Sequence, residues 1–213
     1  MKLSKYIDHT LLKADATPEM IIKLCAEAKE HDFKSVCVHP SYISLCQKEL
    51  QNSDVLICSV VGFPLGMNTS EMKVAEAMQA IQLGADEIDM VINIGRLKAG
   101  DVQYVTKEIT AVKQAIGEHI LKVIIETCLL NEAEKIQACT CVVNAGADFV
   151  KTSTGFSTGG ATFADVALLK KCVGNKALVK AAGGVRSHAD FMKMISLGAD
   201  RVGTSSGIRL LNE

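Results

Sequence analysis

Gly84-Ala85-Asp86-Glu87-Ile88-Asp89-Met90-Val91-Ile92 is the stretch on which the fold turns, because its first three residues return twice. They recur as Gly146-Ala147-Asp148 before Phe149-Val150-Lys151-Thr152, and as Gly198-Ala199-Asp200 before Arg201-Val202-Gly203-Thr204. Each copy follows a helix-like segment and precedes a run with strand character. A glycine at such a place ends a helix in a left-handed conformation and lets a strand start just after it. The gap between successive copies holds two β/α units of roughly 25–30 residues each, so the three joints fall on alternate strands. The intervening strands are read at His119 to Glu126 and Lys176 to Ala181. Upstream come Phe33 to Val38 and Asp54 to Val61, with a short first strand around Tyr6 to Asp8. Thr17 before Pro18 opens a helix as an N-cap with proline in the first position. Ser70 to Ile81 is rich in helix formers, and Thr162 and Ser187 are further N-caps. Eight alternating units predict an α/β fold, a (β/α)8 TIM barrel, with residues 1–213 forming one domain and no linker or low-complexity tract. An open doubly wound sheet is the alternative, weakened by the missing Gly-x-Gly-x-x-Gly after an early strand.

Composition agrees with a helix-covered parallel sheet: 48% of residues are hydrophobic but only 4% aromatic, and there is no Trp. A net charge of −1 from 23 basic and 24 acidic residues leaves no basic field to attract nucleic acid or membrane surfaces. The N-terminal residues contain no apolar stretch of signal-peptide length, and no run approaches the roughly 18 apolar residues of a membrane helix. Eight cysteines without a secretion signal read as reduced thiols, so the cytoplasm is the expected compartment. Cys139 and Cys141 lie inside a helical pattern and read as helix-face residues rather than metal ligands.

Strand alternation then locates charge. On the strand after Gly84, Ile88, Met90 and Ile92 share the helix-facing side, which turns Glu87, Asp89, Val91 and Asn93 inward. The same parity turns Phe149, Lys151 and Ser153 inward, with Leu178 and Lys180 on the seventh strand and Lys122, Ile124 and Glu126 on the fifth. Buried Lys, Asp and Glu need partners. A plain ion-paired barrel layer accounts well for Lys122 and Glu87, early in their strands. It accounts less well for Asp89, Lys151 and Lys180, which lie toward the C-terminal strand ends where barrel active sites are built. An ordinary lysine is neutral in about one molecule in 2,500 at pH 7. Two lysines side by side each disfavour the other's charge, which predicts one with a lowered pKa and a usable nucleophilic amine. One would attack a carbonyl while the other holds charge and moves protons with Asp89. Parity alone leaves Lys151 and Lys180 both open as the nucleophile.

Three Gly-rich, hydroxyl-bearing loops follow strands six, seven and eight: the segment from Thr152 through Thr154 to Gly160, Ala182 to Ser187, and Gly203 to Arg209. Loops after strands seven and eight of a barrel commonly bind phosphate, so Gly183, Gly184, Ser205 and Ser206 are the expected cradle, with Arg186 as a candidate charge. The five histidines show no metal-ligand spacing. His9 and His39 with Glu126 form the only conceivable metal set, short of the usual three converging ligands. Cys37, late in the second strand, faces the expected pocket or is an inert buried thiol.

Together, Asp8 to Leu12, Ser35 to Pro40, Val61 to Gly66, Gly84 to Val91, Leu121 to Thr127, Phe149 to Gly155 and Lys180 to Arg186 resemble the deoxyribose-phosphate aldolase family through nearly the whole chain. The resemblance implies reversible cleavage of 2-deoxy-D-ribose 5-phosphate to acetaldehyde and D-glyceraldehyde 3-phosphate, with no cofactor and no metal. It assigns the Schiff base to Lys151, charge tuning and proton transfer to Lys180, and acid–base work to Asp89. It places phosphate at Gly155, Gly183, Gly184, Ser205 and Ser206, and the substrate pocket at Thr10 and Leu12, with Cys37 and Thr154 beside them. The partners expected are the phosphosugar and aldehyde substrates. A homodimer is left open, since barrels of this kind often dimerise. Two departures stand out. Some family members carry a basic residue where this chain has Phe156, which removes one expected phosphate contact. Some end in a tail with a tyrosine that assists proton transfer, whereas this sequence ends Asn212-Glu213, which leaves the proton donor to the enamine open. Rival readings are another phosphosugar barrel, either an isomerase or a metal-dependent aldolase, and a non-catalytic barrel that binds a phosphorylated metabolite and regulates a partner.

Overall fold

The Gly-Ala-Asp joints do form helix-to-strand turns in the computed structural model, which describes residues 2–212. Met1 and Glu213, the ends of the expected domain, lie outside the described residues, as does the Asn212 side chain. Gly84, Gly146 and Gly198 have φ of 107°, 71° and 104°. The aspartate of each joint does more than the repeat suggested. Its carboxylate accepts from the backbone N–H of a residue at the start of the preceding strand: Asp86 from Ile57 at 2.8 Å, Asp148 from Leu121 at 2.8 Å and Asp200 from Val179 at 2.9 Å. The same aspartates donate their own N–H to the carbonyls of Ile57, Leu121 and Val179. Each joint is therefore laced to its neighbouring strand from both sides.

The chain alternates β1 (Ile7–Leu11), α1 (Pro18–Glu30), β2 (Ser35–Val38), α2 (Ile43–Glu49), β3 (Leu56–Val61), α3 (Ser70–Gln82) and β4 (Glu87–Val91). Two helices follow, α4 (Ile94–Lys98) and α5 (Val102–Ile116). Then come β5 (Ile120–Ile124), α6 (Glu132–Asn144), β6 (Phe149–Lys151), α7 (Phe163–Val173), β7 (Leu178–Ala182), α8 (His188–Ser196), β8 (Arg201–Thr204) and α9 (Gly207–Asn212). All neighbouring strands pair in parallel and in chain order, and β1 pairs with β8, so the sheet closes. The fold is a (β/α)8 barrel, which excludes the open doubly wound sheet. Side-chain hydroxyls of Thr17, Thr162 and Ser187 cap α1, α7 and α8 as predicted, and Asn131 with Glu134 adds a capping box to α6.

Several predicted strands run long. β5 ends at Ile124, so Glu126 leaves the alternation; it takes φ 54°, ψ 67°, a left-handed conformation in a residue with a Cβ. β6 ends at Lys151, so Ser153 belongs to a loop. Leu178 opens β7 at the rim, where it is exposed rather than inward. Apolar residues such as Ile88, Met90, Val123, Val150 and Val179 fill the layer between sheet and helices and are fully buried. That outer packing holds the strands in a register that sets Lys151 beside Lys180 and Asp89 beside Lys122.

Candidate active site

Inside the barrel seven charged side chains touch one another. Asp8 comes from β1, Glu87 and Asp89 from β4, Lys122 from β5, Lys151 from β6, Lys180 from β7 and Arg201 from β8. Arg201 pairs with Asp8 and, at 2.9 Å, with Glu87. Lys122 lies 2.6 Å from Glu87 and 3.0 Å from Asp89. Lys180 lies 2.6 Å from Asp8 and 2.7 Å from Asp89, and Lys151 lies 2.8 Å from Asp89. Four cations thus share three carboxylates. Lys151 holds one carboxylate, already shared with Lys122 and Lys180, whereas Lys180 holds two.

The two lysines do not simply repel each other, as the sequence led us to expect, because Asp89 lies between them. Burial pushes the Lys180 ammonium toward neutrality, but Asp8 and Asp89 outweigh it and hold its pKa above the ordinary lysine range. Burial likewise pushes the Asp89 carboxyl up, and the ammonium groups of Lys122, Lys151 and Lys180 overcome that and hold it well below the usual range. Asp8 is held low against the same burial by Arg201, Lys180 and Lys122. In the resting site Lys180 is therefore a cation and Asp89 a carboxylate across the neutral range.

Above this layer, at the C-terminal strand ends, opens a cavity of about 270 Å³. Its floor includes Lys151, while Lys180 has no exposed side-chain surface. Thr10 and Leu12 from the segment around the end of β1, Thr154 and Gly155 after β6, Gly183 and Gly184 after β7, and Ser205 and Ser206 after β8 all line it. Among the described residues, the amides of Gly155, Gly183, Gly184 and Ser205 donate to no backbone carbonyl, which leaves a ring of N–H donors for an anion. The loops after β6 and β7 meet at backbone distance: Ala161 N–H donates to the carbonyls of Ala182 and Gly183. A Cβ on Gly160 would sit 2.3 Å from the Gly183 oxygen, so that position requires glycine.

Asp89 and Lys180 lie beneath the cavity rather than on its wall, and so does Cys37. Cys37 is fully buried inside the barrel with Leu12, Cys58 and Val60, which corrects its placement in the substrate pocket. Its place late in β2 suggested the pocket; its burial fits the other reading, an inert buried thiol. Arg186 lines the cavity mouth, and Phe156 lines it while resting edge-on against Phe63, with ring centroids 5.4 Å apart. The conceivable metal set is dispersed. His9 bonds Glu27 at 2.7 Å, His39 bonds the Leu12 carbonyl at 3.1 Å, and Glu126 accepts from the Thr154 hydroxyl at 2.5 Å. Cys37, Cys58 and Asp89 bring donor atoms within 4.8 Å of one another, but the Lys122 ammonium bonds both Cys58 and Asp89.

Asp8, Arg201, Cys58 and Lys13 escaped the sequence reading. Asp8 and Arg201 each carried a signal, a charged side chain inside a strand. Glu87 and Arg201 occupy the same position, just after a Gly-Ala-Asp joint. The Glu126–Thr154 bond, which steadies the loop after Lys151, left no signal, because Glu126 lies past the strand end.

A family model described as DeoC/LacD family aldolase matches residues 2–210. The chain is 59% identical over 211 residues to a deoxyribose-phosphate aldolase of Brevibacillus brevis, covering 99% of this chain and 96% of that one. A deoxyribose-phosphate aldolase of Finegoldia magna is 59% identical over 211 residues, covering 99% of each chain. Among solved structures, the deoxyribose phosphate aldolase of Aeropyrum pernix, a tetramer, superposes with a TM-score of 0.90 at 33% identity, covering 98% of this chain and 89% of that one.

Proposed function

The chain belongs to the DeoC/LacD family of aldolases, and from that premise we propose how its own residues cleave 2-deoxy-D-ribose 5-phosphate reversibly to acetaldehyde and D-glyceraldehyde 3-phosphate. The observation that carries the assignment of roles is the position of Lys151: the one lysine of the buried layer on the cavity floor, 2.8 Å from a carboxylate.

The phosphate rests against the free amides of Gly155, Gly183, Gly184 and Ser205 with the hydroxyls of Ser205 and Ser206, and this anchors the sugar aldehyde over Lys151. Lys151 passes its proton to Asp89 along their hydrogen bond, and the neutral amine attacks C1 of the open-chain sugar. The carbinolamine loses water, with the proton supplied by Asp89, and an iminium forms. Asp89, a carboxylate again after the dehydration, takes the proton of the C3 hydroxyl as the C2–C3 bond breaks, and the bonding electrons move into the iminium. This releases D-glyceraldehyde 3-phosphate and leaves an enamine on Lys151. Return of that proton from Asp89 to C2, and addition of water to the iminium so formed, release acetaldehyde and restore the amine. Lys180, charged throughout, stabilises the carboxylate and the negative charge that develops above it. Glu126 holds the Thr154 loop in place through its hydroxyl bond.

Borohydride reduction in the presence of 2-deoxyribose 5-phosphate, followed by peptide mass mapping, is expected to find the adduct on Lys151. An adduct on Lys180, or none, overturns the assignment.

We further read residues 1–213 as one domain that assembles as a homodimer in the cytoplasm. Barrels of this kind often dimerise, though the Aeropyrum pernix relative is a tetramer. Among the described residues, the cysteines are free and no helix is long and apolar enough to cross a membrane. Light scattering is expected to give twice the 22.8 kDa chain mass; a monomer or a tetramer contradicts the dimer.

A further inference from the structure

Among the described residues the cavity wall carries no acidic side chain, yet two basic ones line it besides Lys151: Lys13, just past β1, and Arg186, just past β7. Among the described residues, neither takes part in an ion pair or a side-chain hydrogen bond, and both are exposed. The strand order places β8 between β7 and β1. Lys13 and Arg186 therefore stand on opposite sides of the Ser205–Ser206 turn, flanking the free amides at the cavity mouth. On the third side, the loop after β6 offers no cation. It presents Phe156, whose ring packs edge-on against Phe63, which in turn meets the His39 ring at 5.8 Å.

Two unpaired cations around a ring of N–H donors, with no carboxylate to compete, suit a phosphate that bears nearly two negative charges at neutral pH. Either cation would otherwise sit in solvent without consequence. Both at one mouth, on either side of the hydroxyl turn, form a clamp. We propose that Lys13 is a specificity-determining contact to the substrate phosphate. Paired with Arg186, it supplies the charge that the aromatic Phe156 does not, and it sets the preference for a phosphorylated over an unphosphorylated aldehyde. This rests on the aldolase reading above and deepens it. Lys13 acts on binding and not on the chemistry at Lys151, because it stands at the mouth and the reacting amine lies on the floor.

The test compares wild type, Lys13→Met, Lys13→Arg and the double variant Lys13→Met with Phe156→Lys on 2-deoxyribose 5-phosphate and on 2-deoxyribose. Methionine keeps the stem and removes the charge at an exposed position, so folding is not at risk. Lys13→Met is expected to raise KM for the phosphorylated sugar about tenfold or more, the cost of a lost charge-assisted hydrogen bond, with kcat within about twofold. It is expected to lose far less on 2-deoxyribose. Lys13→Arg is expected to retain KM, and Phe156→Lys is expected to restore part of the loss. An unchanged KM, or equal losses on both sugars, overturns the proposal. Calorimetry with inorganic phosphate tests the same point without turnover. Equal phosphate affinity in wild type and Lys13→Met overturns the role of Lys13 in a fully active enzyme. If wild type cleaves neither sugar, the aldolase reading falls, and weakened phosphate binding in Lys13→Met still supports the anion contact.

Discussion

Lys180 has no exposed side-chain surface and is gripped by Asp8 and Asp89 at 2.6 and 2.7 Å. Its charge is thus built into the floor beneath Lys151. Replacing it with leucine removes a cation from the neighbourhood of Lys151 and leaves two carboxylates less compensated, and both changes favour the protonated form of the attacking amine. Lys180→Leu is therefore expected to move the ionisation that controls activity to higher pH, so that the rate still rises above neutrality. A pH–rate profile that superimposes on that of wild type contradicts the role given to Lys180. At this scale the alternation of side chains along single strands located Asp89, Lys151 and Lys180 on one face. Asp8 was left out of that reading, and nothing in the pattern of β1 told that it meets Lys180, one strand beyond β8.

Each Gly-Ala-Asp element has two physical jobs. The glycine reverses the chain, and the aspartate satisfies an N–H at the start of the strand before it. Asp86 isolates the second job, because its carboxylate bonds Ile57 N–H and forms no ion pair among the described residues, whereas Asp148 also pairs with Lys113 and Asp200 with Lys170. Asp86→Ala leaves the amide of the buried Ile57 without its side-chain acceptor and is expected to cost about 1–3 kcal/mol. Urea denaturation reads this as a lower midpoint at unchanged slope; an unchanged midpoint removes the aspartate from the joint. The repeat was plain in the sequence because it is local. Its partner strand was not, because Asp86 and Ile57 stand 29 residues apart.

Across the whole molecule, the charged interior makes stability depend on pH at both ends. Asp8 and Asp89 titrate below the ordinary range when folded, so they favour folding at every pH above about 4, their unfolded value. That gain is lost as pH falls toward their folded values. Lys122, Lys180 and Arg201 titrate above their ordinary values. Their gain is complete below about pH 10.4, where the lysines begin to titrate in the unfolded chain, and fades as pH rises through their folded values. Asp8→Asn leaves Arg201 and Lys180 each short of a carboxylate and is expected to cost about 3–5 kcal/mol at pH 7. The gap from wild type should shrink as pH falls below 4, because protonated Asp8 resembles Asn; a gap constant with pH contradicts this account. A barrel closed through the β1–β8 pairing has no internal seam. Urea unfolding of wild type followed by circular dichroism is therefore expected to show one transition, and two would overturn the one-domain reading.

By itself, the sequence determined the barrel, the faces of its strands, three charged residues at and beneath the cavity floor, and the loops around the cavity. Each of these follows from short-range periodicity, a turn-forming glycine or a family motif confined to a few residues. The tertiary structure decided which lysine reaches the cavity and which stays beneath it. It also brought Arg201 to Asp8 across a separation of 193 residues and set Lys13 and Arg186 on either side of one turn. Burial and Coulomb partners are properties of space, and only the closure of β8 onto β1 brings those groups within the few ångströms over which a buried charge is stabilised.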